Sequence, residues 1–478
     1  MGIQNLESNL IKSDDFNRIT MQVCQHSKLK NNKLVTLATG ITTAYNIADN
    51  QLREFLIVNK ISKILNEMNI ENKVLLINDT YDPLTERYFE RLIKFDSNLK
   101  NFNKFIGIPI SNIPCPYGCH NSLGEHFHNG LIKKLNSLEI YPVEIFSHKI
   151  YKDKTFQNLI EQILIRHDEI KNYLKVKYNL GYSDGLFKAI CKKCGKIVAT
   201  KFKFFKNIKV YYKCKNCGNE SKTSYFNGKF TWRIDCVVRW IANNVDFEPF
   251  YKNYLTKPNG SYWVSSDISL KYFNFLPPLT IQIEYLRYDK KLTNPTQFLP
   301  IQIIENLYLE NFHRTNRFNR YAIIAKSKNF RYPSGISFYQ ASMIIGCLFL
   351  KNYEKTYLEK INQFVFGFEK NNTNIFRKII KNITLAQNFY ETMIPSNKKV
   401  RLNKISDIKL PKNKKDRLLL SRILRGEKIK IREKNRIFTL LYKILFNKPF
   451  GPAIDTILNL LPSKYKDSLI NRLCSDIL

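Results

Sequence analysis

Four cysteines carry the most specific chemistry in this chain. They form two CxxC pairs, Cys191 with Cys194 and Cys214 with Cys217, and two such turns brought together supply four thiolates in a closed tetrahedral shell. That shell fits a structural zinc ion and leaves no open position for catalysis, so its expected role is folding. A second group, Cys115, Cys119 and His120, lies in IPCPYGCHNSLGEHFH with Glu125, His126 and His128 nearby. With Pro and Gly through it and no second CxxC, this stretch reads as an ordinary loop. Just after the second CxxC pair comes GKFTWRIDCVVRWIANNVDFEPF, residues 228–250, in which Trp232, Arg239, Trp240 and Phe250 are either core residues or the wall of a pocket.

The elements that must position these groups follow from the apolar pattern. LVTLATG, ending at Gly40, reads as a buried strand running into a glycine turn. Leu52, Phe55, Leu56, Ile61, Ile64, Leu65 and Met68 then recur at helical spacing, and a second strand follows at Val74–Ile77. A unit of this kind holds ligands at the carboxyl ends of its strands. Gly40 and the acidic TYD segment after Asp79 therefore lie where a nucleotide site would be. Alternating helices and strands continue to about residue 180, give way to the cysteine module, resume near residue 230 and run past PPLTIQIEYL. From about residue 330 the spacing becomes helical throughout, as in IFRKIIKNITLAQNFYETM. The expected class is α/β, followed by an all-α C-terminal domain.

Charge narrows the partners. Against 40 Asp and Glu the chain carries 77 Lys and Arg, a formal +37, which favours polyanions because neutralised phosphates release their counterions. AT-rich coding accounts for the same excess equally well, since Lys, Asn, Ile, Tyr and Phe look inflated together while Gly is scarce at 17 residues. Residues 398–432 concentrate the charge, with Lys412, Lys414, Lys415 and Arg417 as candidate RNA contacts. The alternative for that run is a solvated face. The N-terminus lacks a secretory pattern, and Ile336–Leu350 is too short and too interrupted to span a membrane. A soluble, cytoplasmic protein with its cysteines reduced is expected.

In order and spacing, several blocks resemble the class I lysyl-tRNA synthetases. NDTYDPLTER (78–87) is similar to the family's DDYDPLRK, residues 106–127 to its PDPxGCHxSxAEHF loop, the WRxDxxxRW and VDFEPF run to its central block, and FGPAIDTILNLL to its C-terminal GPR segment. The resemblance implies a class I Rossmann-type catalytic domain with a parallel sheet in two halves, 1–185 and 227–330. It further implies a zinc-ribbon insertion at 186–226 and a helical anticodon-binding domain at 331–478, acting on lysine, ATP with Mg, and lysine tRNA. The departures fall on the ATP signatures. Where the family has TGxxPSGxxHxGN, residues 39–51 read TGITTAYNIADNQ, which puts Ala48 at the histidine, Asn50 at the glycine, and the acidic Asp49 where triphosphate would sit. Where it has KMSKS, this chain offers Lys291, Leu292, Thr293, Asn294 and Pro295, retaining the first lysine and stiffening the loop with proline.

Gly40, Thr42, Trp232 and Asp235 match family positions at or near the amino-acid site, whereas Tyr254 replaces a histidine and Ile283 precedes the retained Glu284 of a YE pair. Losing even one group that stabilises a transferring phosphoryl or adenylyl moiety costs about a hundredfold to a thousandfold. The expectation is therefore a synthetase homologue that binds tRNA and an amino acid with adenylation weakened or lost. The rivals are a divergent ligase in which Lys252, or Lys290 with Lys291, takes over the phosphates, and a structural or regulatory partner of RNA or of another protein.

Overall fold

A computed structural model describes residues 6–288, 292, 294–348, 354–369, 374–427 and 434–475. Lys290, Lys291 and Thr293 of the KMSKS-like stretch lie outside the described residues, as do Lys428, Lys430 and Arg432 of the basic run. The chain divides into two compact units, one of Met1–Arg287 with Tyr308–Arg317, the other of Tyr288–Leu307 with Phe318–Leu478.

The first unit is built on parallel strands β1 (Leu10–Ile11), β2 (Val35–Ile41), β3 (Asn72–Asn78) and β4 (Val143–Phe146). β2 pairs β3 from Val35 with Asn72 to Ile41 with Asn78, and β3 pairs β4. On the other flank of β2, Phe247 bridges both Leu37 and Leu279 in parallel, Ala38 N–H donating to its carbonyl at 2.8 Å. The order then continues through β10 (Phe250–Tyr251) and β11 (Thr280–Ile283) to β1. All these strands run parallel, but the order in which they are added reverses between β2 and the 247–251 segment, and this switch point opens a crevice at the carboxyl ends of the strands. Asp246 fixes the junction from beneath, accepting Thr36 N–H at 2.9 Å and pairing Lys30 at 3.3 Å. The helix Arg53–Glu67 packs Phe55, Leu56, Ile61, Ile64 and Leu65 on the sheet, whereas Met68, expected on that stripe, caps the helix and is exposed.

The cysteine module is antiparallel. β5 (Phe187–Ala189) pairs β9 (Gly228–Phe230), and between them β6 (Thr200–Lys206), β7 (Lys209–Cys214) and β8 (Glu220–Ser224) form a meander. The helix Trp232–Asn243 returns the chain to the parallel sheet, with Trp240 fully buried and donating Nε1–H to Glu248 Oε2 at 2.6 Å.

In the second unit the long elements are helices, among them Phe338–Leu348, Ile375–Met393 and Lys414–Leu424. Gly346 sets the closest packing, because a Cβ there would meet the Tyr390 ring at 2.1 Å. Among the described residues no helix is long and apolar enough to cross a membrane.

Candidate functional site

The switch-point crevice is a cavity of about 540 Å³ within the first unit. Its floor is a buried charged group. Lys229, delivered by β9, sits 2.8 Å from Asp82, 3.2 Å from Asp235 and 3.7 Å from Asp79. Arg239 reaches Asp79 at 3.3 Å and Asp235 at 3.7 Å, and its guanidinium lies 4.5 Å from the Trp232 ring centre. Three carboxylates thus face two cations, leaving one carboxyl in excess. Burial pushes Asp79 up to about 7, against the opposing pull of Arg239 and Lys229. For Lys229 burial works in the opposite sense, yet Asp235, Asp82 and Asp79 outweigh it and hold the ammonium above its ordinary range.

The residues expected at an amino-acid pocket separate into two sets. Gly40, Thr42, Trp232 and Tyr254 line the cavity. Gly40 is required by close approach, since a Cβ would stand 3.0 Å from Arg239 Nη1, and Thr42 donates its hydroxyl to Asp82 at 2.6 Å. Asp235 lies beneath the wall, fully buried under Lys229 and Arg239 and accepting the Tyr151 hydroxyl. Glu284 also stays off the wall, with Lys252 Nζ at 3.7 Å and the Thr315 hydroxyl at 3.3 Å, while its neighbour Tyr285 faces the cavity and stacks on Tyr251 at 4.3 Å. Phe250 lines the cavity as well, so the central block contributes core through Trp240 and wall through Trp232 and Phe250. Thr231 Oγ1 and Trp232 Nε1 are buried at this wall without hydrogen-bond partners among the described residues.

The opposite end differs. Ala48 caps a short 3-10 turn, Asp49–Gln51, that contains Asn50. Asp49 does not project a charge toward the cavity as expected; it is fully buried and paired with Lys134 at 2.9 Å, because the turn faces it toward the helix Leu123–Ser137. Tyr45, at the second glycine of the family pattern, fills the space. Its buried hydroxyl accepts from Gln51 Nε2 at 3.0 Å and from Arg91, whose guanidinium lies 4.9 Å over the ring. Arg87 and Arg91, one turn apart on the helix Glu86–Phe95, both line the cavity here. Asn294 caps the short helix Pro295–Gln297, and Leu292 is buried.

Two cysteine clusters could hold metal ions. Cys191 Sγ lies 3.6 Å from Cys217 Sγ, and Cys194 Sγ 3.6 Å from Cys214 Sγ, close to the roughly 3.8 Å edge of a tetrahedral shell with metal–sulfur bonds of about 2.3 Å. Gly195 and Gly218, at φ 72° and 70°, close the two knuckles. The loop read as ordinary brings a second set of donors together. Cys115, Cys119, His120 and His126 have ligand atoms all within 4.8 Å of one another, because Gly118 turns the loop at φ 68° and the helix Leu123–Ser137 supplies His126.

A family model described as tRNA synthetases class I (K) matches residues 16–294. The chain belongs to that family. This class I synthetase homologue is 30% identical over 267 residues to the lysine–tRNA ligase of Archaeoglobus fulgidus, covering 55% of this chain and 52% of the relative. It is 32% identical over 269 residues to that of Methanococcus maripaludis, covering 54% and 48%. The chain spans about half the length of these curated relatives, and the family match ends at residue 294, well before the GPR-like segment. Among solved structures, a glutamate tRNA ligase from Elizabethkingia meningosepticum in complex with its amino acid aligns with a TM-score of 0.44 at 10% identity, over 93% of this chain and 100% of that one.

Glu54 and Lys229 line this cavity although the sequence reading did not single them out, whereas Asp82 belongs to the acidic TYD segment expected there. Glu54 is masked by its place in the first turn of a helix, where an acidic residue is ordinary. Asp82 and Lys229 are charges that only the fold pairs.

Proposed function

We propose that this synthetase homologue binds a lysine-like amino acid in the switch-point crevice and tRNA along its basic surface, with adenylation weakened or lost. The observation that carries this reading is the contrast within one cavity between a furnished floor and a rebuilt opposite end. Gly40, Thr42, Asp79, Asp82, Lys229 and Arg239 form an interlocked floor, while Tyr45, Gln51 and Arg91 occupy the ground where the family pattern has small residues and a histidine. ATP with Mg would need contacts near Ala48 and Asn50, which offer no imidazole and no glycine. Zinc is the proposed metal of the Cys191 cluster and of the Cys115 cluster, whose S4 and S2N2 donor sets suit it; metal analysis of the reduced protein checks both. The deciding experiment is lysine-dependent ATP–pyrophosphate exchange. An exchange rate on the order of 1 per second or faster, typical of enzymes, overturns the reading.

One observation favours a second reading, a divergent but active ligase. Arg87 and Arg91 place two guanidinium groups on the cavity wall, and these could replace the lost phosphate contacts. Lys252 is the weaker substitute, being mostly exposed and directed to Glu284.

A further inference from the structure

Glu54 is 8% exposed and its side chain lines the cavity beside Glu248, Tyr251, Tyr254 and Tyr285. Arg87 and Arg91 also line the cavity, Arg91 donating to the Tyr45 hydroxyl, and the other nearby cations are committed elsewhere. Arg53 donates to the carbonyls of Tyr308 at 2.8 Å and Glu284 at 2.6 Å, Lys229 and Arg239 serve the three aspartates, and Lys252 lies 3.7 Å from Glu284. Among the described residues no hydrogen bond or ion pair reaches the Glu54 carboxylate. Burial and the like charge of Glu248 hold it well above the ordinary carboxyl range. A carboxylate buried without a partner destabilises a fold, so its presence on a cavity wall points to a ligand that completes it. The surroundings select the ligand class. A hard divalent ion needs about six oxygen ligands, whereas Glu54 shares the cavity with three phenol rings, two of them stacked. Such rings suit an organic cation, which their faces attract.

We infer that Glu54, with Glu248 behind it and the Tyr251, Tyr254 and Tyr285 rings around it, is the receptor for a primary ammonium group of the bound ligand. This rests on the reading of the crevice as an amino-acid site and assigns it a residue that determines specificity. The test is Glu54→Gln in the full chain, titrated calorimetrically with L-lysine, L-norleucine and cadaverine, with unliganded thermal stability measured alongside. The substitution should weaken lysine binding tenfold or more. Unliganded melting should stay level or rise, because a neutral amide relieves the unpaired charge.

The probes separate the sources of the ammonium. Norleucine weakened by the same factor places the α-ammonium at Glu54, and norleucine unaffected places the side-chain ammonium there. Equal lysine binding by wild type and variant overturns the assignment while leaving the amino-acid site standing. Cadaverine binding that depends on Glu54, without lysine binding, upholds the ammonium receptor and removes the amino-acid reading. Failure of wild type to bind lysine or cadaverine overturns the inference, as does lost binding accompanied by a lowered melting temperature, which would mark Glu54 as structural.

Discussion

Across one crevice, the floor and the opposite end solve the problem of buried polarity in different ways. At the floor, Lys229 and Arg239 satisfy Asp79, Asp82 and Asp235, and Gly40 is small so that the Arg239 guanidinium can pass. At the other end, Tyr45 takes the ground opened by the change of motif, and Gln51 and Arg91 satisfy its hydroxyl, while Asp49 turns away to Lys134. An interlocked ion group resists piecemeal change, because removing one member strands the others in a medium that cannot solvate them. A phosphate site lacks that protection. Its groups are kept free for a ligand, so each can be replaced and the gap repacked without unfolding the domain.

The comparison breaks most visibly if the floor tolerates damage. Arg239→Met should destabilise the protein by about 3–5 kcal/mol, the cost of breaking a buried pair and leaving its partners uncompensated, as read by chemical denaturation; a loss under about 1 kcal/mol would make the floor as dispensable as the opposite end. The converse test rebuilds that end. Tyr45→Gly with Ala48→His and Asn50→Gly should tighten ATP binding by roughly tenfold, about 1.4 kcal/mol, in equilibrium titration. No gain would show that the nucleotide site was lost elsewhere too.

A third test sharpens the description of the floor through pH. The folded Asp79 carboxyl, raised to about 7 from an ordinary 3.8, keeps a proton that the unfolded chain has released. Its stabilising contribution is therefore complete below 3.8 and is lost as pH rises through about 7, at no more than about 1.4 kcal/mol per pH unit for one proton. Asp79→Asn should flatten that part of the denaturation-versus-pH curve, and an unchanged slope would assign the proton to another carboxyl.

The smallest effect concerns the basic run. Lys412, Lys414 and Lys415 are exposed at the start of the helix Lys414–Leu424, whereas Arg417 donates to the Pro411 carbonyl at 2.6 Å. Neutralising the three lysines should lower the salt dependence of tRNA binding by up to about 0.9 log units per phosphate contact in duplex and about 0.7 in single strands. Neutralising Arg417 as well should add little beyond its structural cost. Lys399 and Arg401 already pair with Glu391, and Arg422 with Glu427, so the run offers fewer free cations than its composition suggests.

Legibility followed the range of the interaction. The strand ending at Gly40 and the helix behind it were readable because their apolar periods are local, and the CxxC pairs because a tetrahedral shell demands close ligand spacing. The Cys115 cluster was not, since one positive-φ turn at Gly118 and the first turn of the following helix bring four donors together without a recognisable spacing. Asp49 was misread for the same reason. Its charge is visible in sequence, but its direction is set by a short turn and by Lys134, which is remote from it along the chain.

What the sequence determined by itself is the family and the α/β plan with its cysteine insertion, because each is written in local patterns and residue identities. What the tertiary structure decided is which charges are spent on one another and which remain for a ligand. Asp79 and Asp82 come from one stretch of chain and Lys229 and Asp235 from another, and the two meet only at the carboxyl ends of the sheet. Glu54, an ordinary helix-start residue in sequence, stands on the cavity wall without an ion-pair partner among the described residues. Pairing depends on distances of a few ångströms in a medium of low dielectric, and those distances exist only once the strands have been brought side by side.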